Sequence, residues 1–275
     1  MQQILMCVPS RYTCSYVINP WMQPNTVNFA TALSQWTRLS QLLQHWDGVS
    51  IVPIFQEDGV PDMVFTANAG LTVGDTVVLS RFKHPERQPE TQIFSDVFAS
   101  LGIRTILPPT DVVFEGAGDA LYDPVRDIFW VGHGQRSDAN VTMWLHTQFR
   151  DRVFIPLQLR SLHFYHLDTC FMPLTNGEIL WFPDAFTPAS ASMIRSALLP
   201  GESIAVSAAA AAAFICNAVC IGNQILIPEP AVPPFEWEHA VRQLRDRGYT
   251  VQTTQLSEFL KAGGAAKCLT MNIPG

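Results

Sequence analysis

The feature of this sequence that most constrains its fold is a short segment that recurs about every fifty residues. In each copy a polar or small residue stands in a tight stretch, flanked by apolar residues and leading into a predicted strand. Five marker residues follow one another at intervals of 50, 50, 49 and 51 residues: Asn68, Gly118, Asp168, Asn217 and Cys268. A constant period of this length indicates one supersecondary unit repeated about an axis. The five copies account for nearly all of the 275 residues.

The same order of secondary structure follows the markers. After Asn68 the sequence predicts a two-stranded hairpin within 71–80, a helix near 88–101 that Gly102 ends, and a strand at 104–107. The segments of Gly118, Asp168 and Asn217 lead into the same order of strand, strand, helix and strand, and Cys268 precedes a last strand. We therefore predict an α/β fold, a five-bladed α/β-propeller of five ββαβ units around a pseudo-fivefold axis. Its marker segments are expected to converge at one end of that axis.

Composition narrows the class of protein. A hydrophobic content of 48% with 15% charged residues predicts a large buried core, and we expect a single domain over residues 1–275. The formal net charge of −7 argues against nucleic acid or an anionic membrane as a partner. We see neither a signal peptide nor an apolar run of about 18 residues that would span a membrane. Oligomeric state is left open.

The six cysteines are widely spread and indicate reduced thiols rather than a disulfide framework. Cys216 and Cys220 form a C-x3-C pair, but no second pair or nearby histidine completes a zinc site. We expect a cytoplasmic protein with no structural metal.

One marker segment carries a histidine and an aspartate two residues apart. In a strand, His166 and Asp168 would project from the same face while Leu167 packs behind them. A lone His-x-Asp pair more often caps a hairpin, but its place in the repeat favours a functional role. If the marker segments meet, the groups brought together are Asn68, Glu115, Asp119, His166, Asp168 and Cys268.

This set of groups points to thiol chemistry. Cysteine with histidine is the minimal constellation for nucleophilic catalysis through a thiolate, the imidazole handling protons. Cys268 follows the pair Gly263 and Gly264, which lets the backbone approach closely. A free thiol, with a pKa of about 8.5, needs a nearby imidazolium or a bound cation to ionise at neutral pH.

Charged residues in the same segments indicate the ligand. Glu115 and Asp168 are carboxylates in apolar surroundings, which favour a bound cation, and their planar oxygens match a guanidinium bidentately. Arg87 and Arg136 follow the Asn68 and Glu115 segments, and either is a candidate to clamp a substrate carboxylate. The expected partner is a small molecule.

Five pieces of sequence carry a family resemblance that spans nearly the whole chain: Phe65-Thr66-Ala67-Asn68, Phe114–Asp119, Gly134-Gln135-Arg136-Ser137, His166–Thr169 and Gly263–Thr270. Together they resemble the guanidino-group-modifying enzyme superfamily. That superfamily includes arginine deiminases, dimethylarginine dimethylaminohydrolases, amidinotransferases and arginine dihydrolases. The resemblance implies the five-bladed α/β-propeller, or pentein, fold.

The resemblance also implies roles for the matching residues. Cys268 would be the nucleophile, His166 the general acid and base, and Glu115 and Asp168 would hold the guanidinium. Arg136, and less securely Arg87, would take the α-carboxylate of the substrate, and we include Asp119 among the substrate-binding candidates. No cofactor or metal is required by the implied chemistry.

Asn68 departs from part of the superfamily. Deiminases and dimethylarginine hydrolases carry an aspartate there, whereas asparagine resembles the arginine dihydrolases, which convert arginine to ornithine, carbon dioxide and two ammonia. A neutral amide would be less selective for a cation and would hydrogen-bond a ureido group, allowing a second cycle on bound citrulline. Asn19, in the Ile18-Asn19-Pro20-Trp21 loop, resembles a segment of the same subfamily and is a further substrate-binding candidate.

Three other interpretations remain open at the level of sequence. A deiminase or dimethylarginine dimethylaminohydrolase would stop at citrulline. An amidinotransferase would need room for an acceptor amine. A related propeller forms a ribosome-associated translation factor, so a non-catalytic binding protein is the alternative from a different class.

Overall fold

The computed structural model describes all residues, Met1–Gly275, and contains five three-stranded β-sheets with helices between the strands. The strands are β1 Gln2–Val8, β2 Val49–Phe55, β3 Gly70–Val73, β4 Thr76–Leu79, β5 Arg104–Ile106, β6 Ala120–Asp123, β7 Ile128–His133, β8 Val153–Gln158, β9 Phe171–Pro173, β10 Ile179–Trp181, β11 Ser203–Ala205, β12 Val219–Ile221, β13 Gln224–Pro228, β14 Thr250–Thr254 and β15 Met271–Ile273. The helices are α1 Phe29–Gln44, α2 Glu90–Ser100, α3 Val141–Gln148, α4 Pro188–Ala197, α5 Ala208–Ala212, α6 Phe235–Asp246 and α7 Ser257–Leu260. None of the helices has the length and apolar character needed to cross a membrane.

All five sheets share one topology. In the sheet β3-β4-β5, the first two strands form an antiparallel hairpin, and β5 returns through α2 to pair parallel with β4. The sheets β6-β7-β8, β9-β10-β11 and β12-β13-β14 repeat this pattern. The fifth sheet joins both ends of the chain, because β15 pairs antiparallel with β1 and β2 pairs parallel with β1. The predicted ββαβ repeat is confirmed.

The chain divides into two compact units, each with its own core. The first comprises Met1–Ala117 with Leu256–Gly275, and the second comprises Gly118–Gln255. The first core packs α2 against its sheet strands around Leu79, Phe94, Phe98 and Met271. The second is larger and is built around Trp130, Phe171, Trp181, Ile225 and Leu244.

The predicted helices form where apolar residues recur at helical spacing. Helix α1 begins after Asn28, whose side chain accepts a hydrogen bond from the Thr31 amide at 2.9 Å and so caps the helix. Trp36, Leu39 and Leu43 lie on its buried face. The alanine run at α5 also forms a short helix, which the sequence interpretation did not assign. Alanine has the highest helix propensity, and Ser207 caps this helix through the Ala210 amide.

Three of the marker segments contain short 3₁₀ turns, at Thr66–Ala69, Gly116–Gly118 and Leu167–Thr169. Side-chain hydrogen bonds connect several of the segments to an adjacent repeat. In the first unit, Asn68 Nδ2 donates to the Glu115 carbonyl at 3.0 Å. In the second, Asp119 Oδ1 accepts from the Leu167 amide at 3.0 Å, and Asn217 Nδ2 donates to the Asp168 carbonyl at 3.2 Å. At these positions a polar side chain holds the turn of an adjacent repeat, the next one for Asn68 and Asp119 and the preceding one for Asn217.

One local prediction is wrong. His166 and Asp168 do not lie on a strand. Asp168 lies within the 3₁₀ turn Leu167–Thr169, and His166 is the extended residue that immediately precedes this turn. The Leu167 amide is taken by Asp119, and the Thr169 hydroxyl donates back to the His166 carbonyl at 2.6 Å, so the turn replaces a strand ladder. Leu167 is fully buried, as expected.

Candidate active site

All nine predicted site residues are buried, none of them more than 7% exposed. The first unit contains five of them: Asn19, Asn68, Arg87, Glu115 and Cys268. The second contains the other four: Asp119, Arg136, His166 and Asp168. Charged side chains are rarely buried in this way unless they are paired, so these are not the solvated surface groups that any one of them alone would suggest.

Cys268 is fixed to the turn that carries Asn68. The Ala67 amide donates to the Cys268 carbonyl at 3.0 Å, which joins the two segments through their backbones. Gly264 precedes Cys268 by four residues, and a Cβ on Gly264 would lie 2.4 Å from the Phe65 ring and 3.2 Å from Cys268 Cβ. Only a residue without a side chain allows this approach, as the glycine pair in the sequence predicted.

Asn19 braces the other glycine of the pair. Its Oδ1 accepts from the Trp21 amide at 2.9 Å, and its Nδ2 donates to the Ala262 carbonyl at 3.1 Å. A Cβ on Gly263, which has a φ of +85°, would lie 2.6 Å from Asn19 Oδ1. These contacts give Asn19 a role in holding the segment before Cys268, and its contact with a substrate stays a prediction.

The amide of Asn68 has a defined orientation. Its Oδ1 accepts from Arg87 Nη1 at 2.8 Å, and its Nδ2 donates to the Glu115 carbonyl at 3.0 Å. Reversing the amide would place two donors together at one end and two acceptors at the other. Because both contacts are satisfied in one orientation only, the side chain is locked, with one N–H and one oxygen lone pair remaining.

Arg87 is engaged within the protein. Its Nε and Nη2 donate to the two oxygens of Glu90 at 2.9 and 2.8 Å, and Nη2 also donates to the Asp62 carbonyl at 3.2 Å. With the bond to Asn68, four of its five N–H groups are used. A bidentate carboxylate clamp needs two parallel N–H groups, so this conformation does not support the predicted clamp, which stays a prediction.

Three buried acids surround that one guanidinium. Burial is the main reason why the pKa of Glu90 is raised to about 7. Arg87 lowers this pKa, and the charges of Asp62 and Glu115 raise it. Burial alone would lower the pKa of Arg87, but Glu90 raises it, so Arg87 stays charged. When all three acids are ionised, they outnumber the arginine, and this part of the protein favours a cationic ligand.

Asp62 and Glu90 were not singled out from the sequence. The available signal was the spacing of Glu90 three residues after Arg87 at the start of a predicted helix, where an i,i+3 ion pair forms. Asp62 lies in a 3₁₀ turn before the Asn68 segment and offers no pattern of its own.

In the second unit, Asp119 holds two predicted segments at once. Its Oδ2 accepts from the Ser137 hydroxyl at 2.7 Å, next to Arg136, and its Oδ1 accepts from the Leu167 amide, between His166 and Asp168. The backbone of β7 passes so near that a Cβ on Gly132 would lie 3.2 Å from Asp119 Oδ1. These bonds support a positioning role for Asp119.

Tyr165 links the predicted base to the predicted carboxylate-binding arginine. The Arg136 guanidinium lies 4.8 Å from the centroid of the Tyr165 ring, and the His166 ring lies 4.7 Å from the same centroid. Tyr165 is itself buried. A cation over an aromatic face is attracted by the ring quadrupole, so Tyr165 fixes the guanidinium of Arg136. Tyr165 was not singled out from the sequence.

Comparison with known proteins decides the family. A family model described as N,N dimethylarginine dimethylhydrolase, eukaryotic, matches residues 16–274. The chain belongs to the dimethylarginine dimethylaminohydrolase family. The predicted superfamily is thereby confirmed.

The relatives of this chain differ in length. The chain is 42% identical over 274 residues to the bifunctional arginine dihydrolase/ornithine cyclodeaminase AgrE of Nostoc sp., covering 98% of this chain and 38% of the relative. It is also 42% identical to the bifunctional arginine dihydrolase/ornithine cyclodeaminase ArgZ of Synechocystis sp., and the match covers 98% of this chain and 37% of the relative. A dimethylarginine dimethylaminohydrolase of Mycobacterium tuberculosis is 35% identical, and the match covers 98% of this chain and 84% of the relative. The chain thus spans little more than a third of the length of the two bifunctional relatives.

Solved structures of the family agree in fold. The N-terminal domain of ArgZ with substrate bound has a TM-score of 0.93 at 39% identity, covering 99% of this chain and 98% of that one. A dimethylarginine dimethylaminohydrolase with a bound S-methyl-L-thiocitrulline adduct has a TM-score of 0.82 at 18% identity and shows the fold alone. The predicted fold class, an α/β fold of five ββαβ units in the manner of the pentein propellers, is confirmed.

Proposed function

We propose that this chain hydrolyses the guanidinium group of free arginine through a covalent cysteine intermediate, giving ornithine, carbon dioxide and two ammonia. The observation that carries the proposal is Asn68, a buried amide locked beside the Cys268 segment. The family resemblance implies an aspartate at this position in enzymes that stop at citrulline. The 42% identity to two relatives named arginine dihydrolase supports it.

The roles in this proposal are those that the family resemblance implied. The Cys268 thiolate attacks the guanidinium carbon, and His166 protonates the departing ammonia, leaving an amidino group on sulfur. Water activated by His166 then releases citrulline. In a second cycle Cys268 attacks the ureido carbon and a second ammonia leaves. Hydrolysis of the carbamoyl group on sulfur gives ornithine and carbon dioxide.

The remaining residues bind and orient the substrate in this scheme. Glu115 and Asp168 pair with the guanidinium, and Arg136 pairs with the α-carboxylate. Asp119 holds the turn that carries His166. The convergence of all these groups on one substrate is part of the proposal.

Structures of the relatives supply independent support. ArgZ has been solved with substrate in a variant that replaces a cysteine by serine, and with product bound. An ArgZ variant that replaces an asparagine by serine is covalently bound to a reaction intermediate. AgrE has been solved with L-arginine. A cysteine and an asparagine are the two residue types on which the present proposal depends most.

A second candidate function is hydrolysis that stops at citrulline, with methylated arginine as the substrate. The family model and the M. tuberculosis relative carry that activity in their names. Asn68 distinguishes the two candidates, because a neutral amide suits a ureido group and a carboxylate suits only the cation.

The test is to incubate the purified protein with L-arginine, and in parallel with asymmetric dimethylarginine, and to quantify ornithine, citrulline and ammonia. Ornithine with two ammonia per arginine supports the dihydrolase, and citrulline with one ammonia supports the second candidate. Cys268→Ser is the control and should abolish turnover of both substrates. A non-catalytic binding protein would show no turnover and no cysteine that arginine protects from thiol labelling. Cytoplasmic location stays a proposal, which cell fractionation would test.

A further inference from the structure

The ion pair between Arg87 and Glu90 contacts Asn68, the residue on which the proposed choice between ornithine and citrulline depends. We propose that Glu90 is a positioning residue that holds Arg87 so that Arg87 fixes the amide of Asn68, and that this chain of contacts sets the division of product between ornithine and citrulline. The inference rests on the proposed function and assigns a specificity role to a residue that touches no substrate.

The first contact in the chain fixes the plane of the guanidinium. Glu90 lies at the first position of α2 and is fully buried, and both of its oxygens accept from Arg87. Two parallel bonds leave a planar guanidinium little freedom to rotate. The Phe82 ring covers the guanidinium, with 4.6 Å from its centroid to Arg87 Cζ. Arg87 is therefore held from its edge and from one face.

The second contact transmits that orientation to Asn68. With the Nε and Nη2 edge taken by Glu90, Nη1 points at Asn68 Oδ1 at 2.8 Å. The amide nitrogen must then face the Glu115 carbonyl, as it does. The group that remains available on Asn68 is one N–H together with one lone pair.

That remaining pair of donor and acceptor suits the intermediate product. A guanidinium carries only donors, so it needs acceptors around it. A ureido group has a carbonyl oxygen, which needs a donor, and Asn68 supplies one only while its amide keeps this orientation. If Arg87 were released, the amide of Asn68 would be able to turn. Citrulline would then lose the hydrogen-bond donor to its ureido oxygen, and this loss would weaken its binding more than arginine binding would be weakened by the loss of an acceptor.

The decisive variant is Glu90→Gln, which keeps the shape of the side chain but puts a donor against a donor on Arg87. We expect the ratio of citrulline to ornithine to rise about tenfold, because the loss of one oriented hydrogen bond corresponds to a change of about that size. The KM for arginine should change less than about threefold. Arg87→Lys, which keeps the charge but loses the fork, should shift the ratio in the same direction.

The product ratio separates positioning from mere stability, since it does not depend on how much enzyme is folded. The matched control is Asp123→Asn, which removes the carboxylate of a buried i,i+3 pair with Arg126 in the second unit. That variant should lower the melting temperature and leave the ratio unchanged. In an Asn68→Ala background, Glu90→Gln should have no further effect on the ratio.

Several results would overturn the proposal. If Glu90→Gln and Arg87→Lys raise the KM for arginine about tenfold with an unchanged product ratio, Arg87 binds the substrate carboxylate and does not act through Asn68. A further shift of the ratio by Glu90→Gln in the Asn68→Ala background would also refute it. Wild-type protein that leaves arginine untouched refutes the proposed function instead, so the two failures are distinct.

Discussion

Replacing Gly264 by alanine tests whether close packing before Cys268 is required for activity. A Cβ at this position would lie 2.4 Å from Phe65 Cε1 and 2.7 Å from Phe65 Cδ1. Carbon atoms in ordinary contact are about 3.5–4.0 Å apart, so the ring or the backbone must retreat by about 1 Å or more. Phe65 cannot move freely, because it is buried and packs edge-on against Tyr12 and Phe259. The φ angle of Gly264 is not in the left-handed region, so the cost comes from contact alone.

We expect Gly264→Ala to lower the free energy of unfolding by about 1–3 kcal/mol, the usual cost of overpacking. Phe65 immediately precedes the turn that carries Asn68, and the turn is bonded to Cys268, so the displacement reaches both residues. A shift of about 1 Å in a reacting group costs about 100-fold in rate, and we expect kcat for arginine to fall by that order. Chemical denaturation measures the first effect, and release of ammonia at saturating arginine measures the second.

A paired variant and a control make the result interpretable. Gly264→Ala combined with Phe65→Leu removes the outer ring atoms and should recover part of both losses. Gly201→Ala meets no atom within 4 Å, but its φ of +93° strains alanine, so it should lower stability and leave kcat of the folded enzyme unchanged. Wild-type stability and wild-type turnover in Gly264→Ala would refute the reasoning, since the overlap would then be absorbed without effect on the nucleophile.

Three further predictions concern the polar residues. Asn68→Asp places an oxygen where Nδ2 now faces the Glu115 carbonyl, and it should shift the product toward citrulline; an unchanged product ratio by chromatography would contradict it. Asp119→Ala removes the acceptor of the Leu167 amide and should cost about 1–3 kcal/mol on chemical denaturation and lower kcat, with Asp119→Asn less severe. Burial raises the pKa of Glu90 from 4.5 to about 7, so its contribution to stability is full below pH 4.5 and is lost as the pH rises through about 7. Unfolding free energies across this range should show wild type losing stability relative to Glu90→Gln as the pH rises, and a difference that does not change with pH would contradict the assignment.

The sequence by itself determined the repeat and the order of elements. Alternating apolar residues around Gly-Asp turns form hairpins, and apolar residues at helical spacing form α1, α2 and α6 because these patterns act over a few residues. Two of the markers at fifty-residue intervals, Asn68 and Asn217, are polar residues whose side chains bond a neighbouring turn. The family motifs are likewise contiguous pieces of chain.

Only the tertiary structure decided what the buried polar groups contact. Residues far apart in sequence choose the partners of a side chain, so the strand expected at His166 became a turn once Asp119, 48 residues earlier, took the Leu167 amide. Arg87 is a candidate clamp by its position in the sequence, but in the structure the nearest acceptors are Glu90 and Asn68. The pairing of β15 with β1 depends on the two ends of the chain meeting, and no local pattern encodes that contact. Hydrophobic periodicity is local and readable, whereas hydrogen-bond partners are set by the packing of distant segments.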